Sequence, residues 1–151
     1  MERRNIQQQV MVEHETMAHI VSALRTTLGW HVVGADFSRK LSSLRFVGDS
    51  FQRHLKRLMQ LEQADGYMAV VLAERPDMTE EVRALRREHV QFRKQVRDIL
   101  ARLGRVAPTD RSTFTQITND LAALLEKLDE HHAKETDLLQ EALLRDEGGE
   151  G

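Results

Sequence analysis

Apolar residues recur along this chain at alternating spacings of three and four, in four separate blocks. That rhythm marks helices with one buried face. Over about residues 5–29 the stripe is Val10, His14, Met17, Val21, Leu24 and Leu28. The second block starts near Asp36, a good N-cap residue. It runs through Phe37, Leu41, Leu44, Gly48, Phe51, Leu55, Leu58 and Glu62, then less cleanly through Ala69 and Leu72. The third opens with DMTE, where Asp77 and Glu80 have capping-box spacing. It carries Val82, Leu85, His89, Phe92, Val96, Ile99 and Leu103. The fourth, from about Asp110 to Leu144, carries Phe114, Ile117, Leu121, Leu124, Leu128, His131, Glu135, Leu138 and Ala142. GWHVVGAD, AERPDM and RVAPTD break the pattern with glycine or proline. Four striped helices joined by short loops hide their stripes in an antiparallel up-down four-helix bundle. The expected fold is all-α, with the bundle over 1–145 and a flexible, acidic, glycine-rich tail over 146–151.

The stripes are interrupted by polar residues, and the interruptions share a level. In an up-down bundle two residues share a layer when the turn lies near their midpoint. The midpoint of His14 and Glu62 is residue 38, just past the first turn. Glu62 and His89 meet about the second turn, and His89 and Glu135 about residue 112, just past the third. Each interruption has a bland reading: a lone histidine on an apolar stripe is more often a hydrogen-bonded core residue than a ligand. Five at one level change the weighing. A buried carboxylate costs several kcal/mol unless paired or coordinated, and no stripe lysine or arginine is present to pair it. A divalent cation would answer that cost, because imidazole nitrogen and carboxylate oxygen are ordinary ligands for iron, manganese or zinc. His131 and Glu135, four residues apart, lie on one helix face. The competing reading is a hydrogen-bonded His/Glu network with protonated carboxyls.

Composition narrows the setting. The 151 residues fit one domain. The formal net charge of −2 argues against nucleic acid or a membrane surface as partner. The chain has no cysteine, which excludes disulfides and thiolate ligands. Without an apolar run of ~20 residues or a secretory h-region, the expected location is cytoplasmic. No Ser/His/Asp triad, phosphate-cradling loop or glycosidase carboxylate pair is visible, so nothing marks the chain as an enzyme.

VEHETM, LMQLEQADGYM, LRREHVQF and HHAKETDLLQEALLRDEGGE together resemble the hemerythrin-like, or HHE cation-binding, family across nearly the whole chain. The resemblance implies a four-helix bundle around a non-haem di-iron centre, with histidines as most ligands and two bridging carboxylates. It implies roles in binding or sensing O2 or NO, or in iron and redox homeostasis. His14, His89 and His131 would then be terminal ligands, and Glu62 and Glu135 the bridges. The family's second helix usually carries His-x-x-x-Glu; here Leu58 stands in the histidine position. His54, one turn earlier, and His132 are additional candidates. Arg93 stands where the third helix often has another histidine, and could pair with a site carboxylate. The fourth helix offers two registers: His131 with Glu135 on the stripe, or His132 with Asp137 at the five-residue spacing of oxygen-carrying hemerythrins. Stripe position favours the first.

The reduced donor set leaves three outcomes: two irons with water completing the coordination, a single ion, or a site without metal. The alternative function is a degenerate bundle acting as a regulatory or protein-interaction module. A ferritin-like oxidase lacks support, because Glu-x-x-His on two helices is missing. His19 and His31 fall off the stripe. Tyr67 either caps the site or fills the core.

Overall fold

The computed structural model describes the chain apart from residues 1, 32–33, 35, 65–66 and 149–151, and apart from the side chains of 2–7, 10, 64, 67 and 143–148. The elements are α1 (Glu2–Leu28), α2 (Asp36–Ala64), α3 (Tyr67–Glu74), a 3-10 turn (Pro76–Met78), α4 (Thr79–Arg105) and α5 (Arg111–Gly148). No strand occurs among the described residues. The fold is an all-α bundle of four long helices. Their antiparallel order shows in the cross-helix pairs. Lys40 at the start of α2 reaches the end of α1, whereas His54 and Arg57 meet Glu13. On α4 and α5, Arg102 pairs with Asp120 and Glu88 with Lys134.

The four stripes form the interior. Every expected stripe residue of α4 and α5 is buried, as is every one of α2 from Phe37 to Glu62. On α1 the stripe is looser: Met17 and Leu24 are buried, while His14, Val21 and Leu28 are half-buried. The Val10 and Tyr67 side chains lie outside the described residues. Gly48 sits where α2 meets α4; a Cβ there would come within 2.6 Å of the Leu100 Cδ2 atom, so that end of Leu100 would have to shift.

Three expectations need correction. The second block is described as α2 and α3 on either side of residues 65–66, which lie outside the described residues, and its stripe after Glu62 differs from the expected one. In α3 it is Met68 and Val71 that are fully buried, whereas Ala69 and Leu72 are half-buried. The capping box of DMTE does not form. The chain already winds as a 3-10 turn over Pro76–Met78, Met78 takes the N-cap position, and Asp77 pairs with Arg75 at 2.6 Å. The last helix continues to Gly148, into the stretch expected to be tail; residues 149–151 lie outside the described residues.

Two basic residues of α2 tie the helix ends together. Helix C-termini leave carbonyl groups without an intrahelical partner. Lys40 Nζ donates to Leu28 O at 3.1 Å and Trp30 O at 2.7 Å, closing α1. Arg45 donates from Nε to Leu103 O at 3.0 Å and from Nη2 to Val106 O at 3.1 Å, closing α4. Gly34 supplies the one described left-handed residue, at φ 65°, before α2 begins.

Replacing Arg45 with Ala should lower stability by about 1–3 kcal/mol in urea denaturation, the usual worth of hydrogen bonds to a charged group. Lys should recover only part, since it cannot span both carbonyls with a rigid fork. At the start of α5, Asp110 Oδ1 accepts from the Thr113 backbone N–H at 3.1 Å. Hydrogen bonds from Thr113 hold the Asp110 carboxyl below the usual aspartate range. A depressed folded-state pKa makes the contribution full above the unfolded aspartate value and lost as pH falls through the folded one. Asp110→Asn, which keeps a cap but not the charge, should therefore flatten the acid limb of melting temperature against pH.

Candidate metal centre

Two apolar clusters fill the bundle, and a polar layer separates them. The larger holds Leu24, Phe51, Leu58, Phe92, Ile117 and Leu128 among others. The smaller, at the α3 end, holds Met68, Val71, Met78, Val82, Leu85, Leu138 and Ala142. Between them lie Glu62, His89, His131 and Glu135, each 5% exposed or less. Helical periodicity carries α4 and α5 through this layer without changing face, from apolar stripe to polar residue and back.

Glu135 is the hub. His131 Nε2 contacts its Oε1, and His89 Nε2 lies 3.4 Å from the same oxygen. Its other oxygen, Oε2, faces His132 Nδ1 at 3.9 Å. Glu62 stands between His89 and His14, with Oε2 3.6 Å from His89 Nε2 and Oε1 3.5 Å from His14 Nε2. Donor atoms therefore gather in two groups able to hold a metal ion: His89, His131 and Glu135, all buried; and His14, Glu62 and Glu135, with His14 half-buried. In each group the donor atoms lie within 4.8 Å of one another, and Glu135 belongs to both.

A ring of further polar residues holds these side chains. Glu88 Oε2 accepts from His131 Nδ1 at 2.6 Å, and its Oε1 accepts from Lys134 Nζ at 2.8 Å. Gln63 Nε2 lies 2.8 Å from His89 Nδ1. The Phe92 ring meets the His131 ring edge-on, with centroids 5.2 Å apart. Sequence reasoning missed Glu88 and Gln63. Each is the immediate neighbour of a striped polar residue, and adjacency to the stripe was the only signal available. It also missed Glu13, which is 7% exposed and paired with His54 and Arg57.

The electrostatics follow from this crowding. Burial pulls the His89 imidazole below its ordinary pKa despite Glu135 beside it. Burial likewise lowers His14, helped by the nearby His132. For His131 burial acts downward too, but Glu135 and Glu88 together outweigh it and raise the value. Burial alone would raise Glu135; the imidazoles of His131, His132 and His89 and the polar Glu62 beside it outweigh burial and lower its pKa.

The chemistry of the donor set fits a cation. No lysine or arginine is among the buried residues described, and the nitrogen partners of Glu62 and Glu135 are imidazoles. His131 Nε2 and His132 Nδ1 are buried and make no hydrogen bond of proper geometry. Buried polar nitrogens are otherwise nearly always hydrogen-bonded.

The remaining candidates separate clearly. His54 does not join either group; its Nδ1 turns to Glu13 at 3.1 Å. His132 lies beside the second group, with its ring centroid 5.4 Å from that of His14. Asp137 is exposed while Glu135 is buried, so the inward pair of α5 is His131 with Glu135. Arg93 lines a groove with Gln52, Leu55 and Lys56, and among the described residues it pairs with no site carboxylate. Leu58 is fully buried, in the apolar cluster one turn before Glu62.

Fold and site together define a class: a helical bundle whose core carries a histidine–carboxylate centre suited to a cation. The chain belongs to the hemerythrin HHE cation-binding domain family, whose model matches residues 5–143. No curated protein and no solved structure matches it. No helix among the described residues is long and apolar enough to cross a membrane.

In chelator-treated protein, His131→Leu should destabilise the fold by on the order of 3 kcal/mol, because it strips a buried carboxylate of an imidazole partner. The double variant His131→Leu/Glu135→Leu should recover most of that loss, since an apolar pair of similar volume needs no desolvated charge. Denaturation curves of the three proteins measure both effects.

Proposed function

We propose that this protein binds iron through His14, Glu62, His89, His131 and Glu135, at two positions bridged by Glu135. Through that centre it binds or senses a small molecule such as O2 or NO, or serves iron and redox homeostasis. The observation that supports this reading best is the sharing of Glu135 between two donor groups. A single structural salt bridge would not need a second set of donors on the other side of one carboxylate. The bound metal would supply Lewis acidity and reversible electron transfer.

The chain's own residues set the conditions. Glu88, by accepting the Nδ1 proton of His131, leaves Nε2 turned inward as the donor. Gln63 can do the same for His89 by presenting its amide oxygen; the amide nitrogen and oxygen exchange places by a simple flip. Phe92 and the apolar clusters keep water from the inner group. The groove between α1 and α5, about 440 Å³, is lined by His14, Met17, Val21, Leu128 and His132 and gives a small molecule access to the other side. Arg25 and Asp129 pair across it.

A second reading, a metal-free regulatory or interaction module, is favoured by one observation. Leu58 is fully buried and contributes no donor where α2 faces the centre. Protein purified from iron-supplemented culture and measured for metal content and visible absorption separates the two. The first reading expects bound iron with ferric absorption, and colourless protein with less than one metal per chain would reject it. Glu88→Ala should weaken metal binding about 10–100-fold, the usual effect of removing a histidine's outer hydrogen-bond partner.

A further inference from the structure

The two donor groups are unequal, and the inequality points to His132. On α5 a histidine precedes Glu135 by one turn; on α2 a leucine precedes Glu62 by one turn. The buried group therefore has two imidazoles with Glu135, whereas the groove-facing group has one, His14, with two carboxylates.

His132 is placed to make up the difference. Consecutive helical residues point about 100° apart, so the His131 and His132 rings diverge, with centroids 6.0 Å apart. Glu135, three and four residues further on, lies over both of them. Its two oxygens divide accordingly: Oε1 faces His131 and His89, and Oε2 faces His132 Nδ1 at 3.9 Å. The His132 ring stands edge-on to the His14 ring, with centroids 5.4 Å apart. Both rings line the α1–α5 groove. The side chain is 29% exposed, yet Nδ1 itself is buried and makes no hydrogen bond. A nitrogen turned away from available solvent, beside a carboxylate oxygen and a second imidazole, is oriented as a ligand rather than as a surface group.

We infer that His132 is a donor to a divalent cation held in the groove-facing group, supplying from α5 the nitrogen that α2 lacks at Leu58. The inference rests on the metal-binding reading above. His132 Nδ1 lies outside the present cluster of His14, Glu62 and Glu135 donor atoms. The groove leaves its ring room to turn inward.

Anaerobic titration of chelator-treated protein with Co(II), followed by calorimetry and by visible absorption, tests this. Wild type should take up two equivalents. His132→Ala and His132→Gln should each take up one, with the first binding step unchanged. Leu58→His in the His132→Ala background should restore the second equivalent. Circular dichroism and melting of each metal-free variant identify any that fails to fold; His132 is partly exposed, so its single variants should melt close to wild type. Two equivalents in both His132 variants at unchanged affinity would overturn this inference and leave the metal-binding reading standing. A wild type that binds one equivalent would also overturn it, and a wild type that binds none would remove the metal-binding reading as well.

Discussion

The structure depends on burying two glutamates in the middle of an apolar bundle. Glu62 and Glu135 lie between two hydrophobic clusters, both nearly inaccessible to solvent. Desolvating a carboxylate is expensive, and the expense falls only if positive or hydrogen-bonding partners stand close by. Three imidazoles meet that need, one from each of α1, α4 and α5. All four long helices must therefore keep one register. The side chains that fix it are ordinary ones: Arg45 and Lys40 on helix ends, Gly48 at a close approach, and interleaved stripes above and below the layer.

The centre is lopsided. On the α4–α5 side the imidazoles are buried, tied by Glu88 and Gln63 and walled by Phe92. On the α1 side His14 is half-buried and opens on a groove. Imidazoles locked by outer hydrogen bonds keep their orientation and change little on coordination. Imidazoles on a groove can move and admit solvent or ligand. The two sides of Glu135 therefore differ: one is closed by apolar and hydrogen-bonded neighbours, and the other opens on a groove.

Much of the bundle was legible in the sequence, and the failures are instructive. The α4 and α5 stripes were read correctly throughout because an uninterrupted helix carries its phase over many turns. The second helix misled after Glu62. The three-four rhythm was carried on to Ala69 and Leu72, while Met68 and Val71 fill the core. Asp77 and Glu80 had the spacing of a capping box, but spacing says nothing of the 3-10 turn that draws Asp77 to Arg75.

The sequence by itself determined which faces are buried and at which level the polar residues interrupt them. Periodicity is a local property, and one turn of helix places residues three and four apart on one side whatever surrounds them. It separated His131 and Glu135 from their polar neighbours for that reason. Only the tertiary structure decided how the polar residues are apportioned: Glu135 to both groups, His54 to Glu13, Glu88 to His131, and His132 to the groove. Those assignments turn on a few ångströms between side chains of different helices, and packing alone determines such distances.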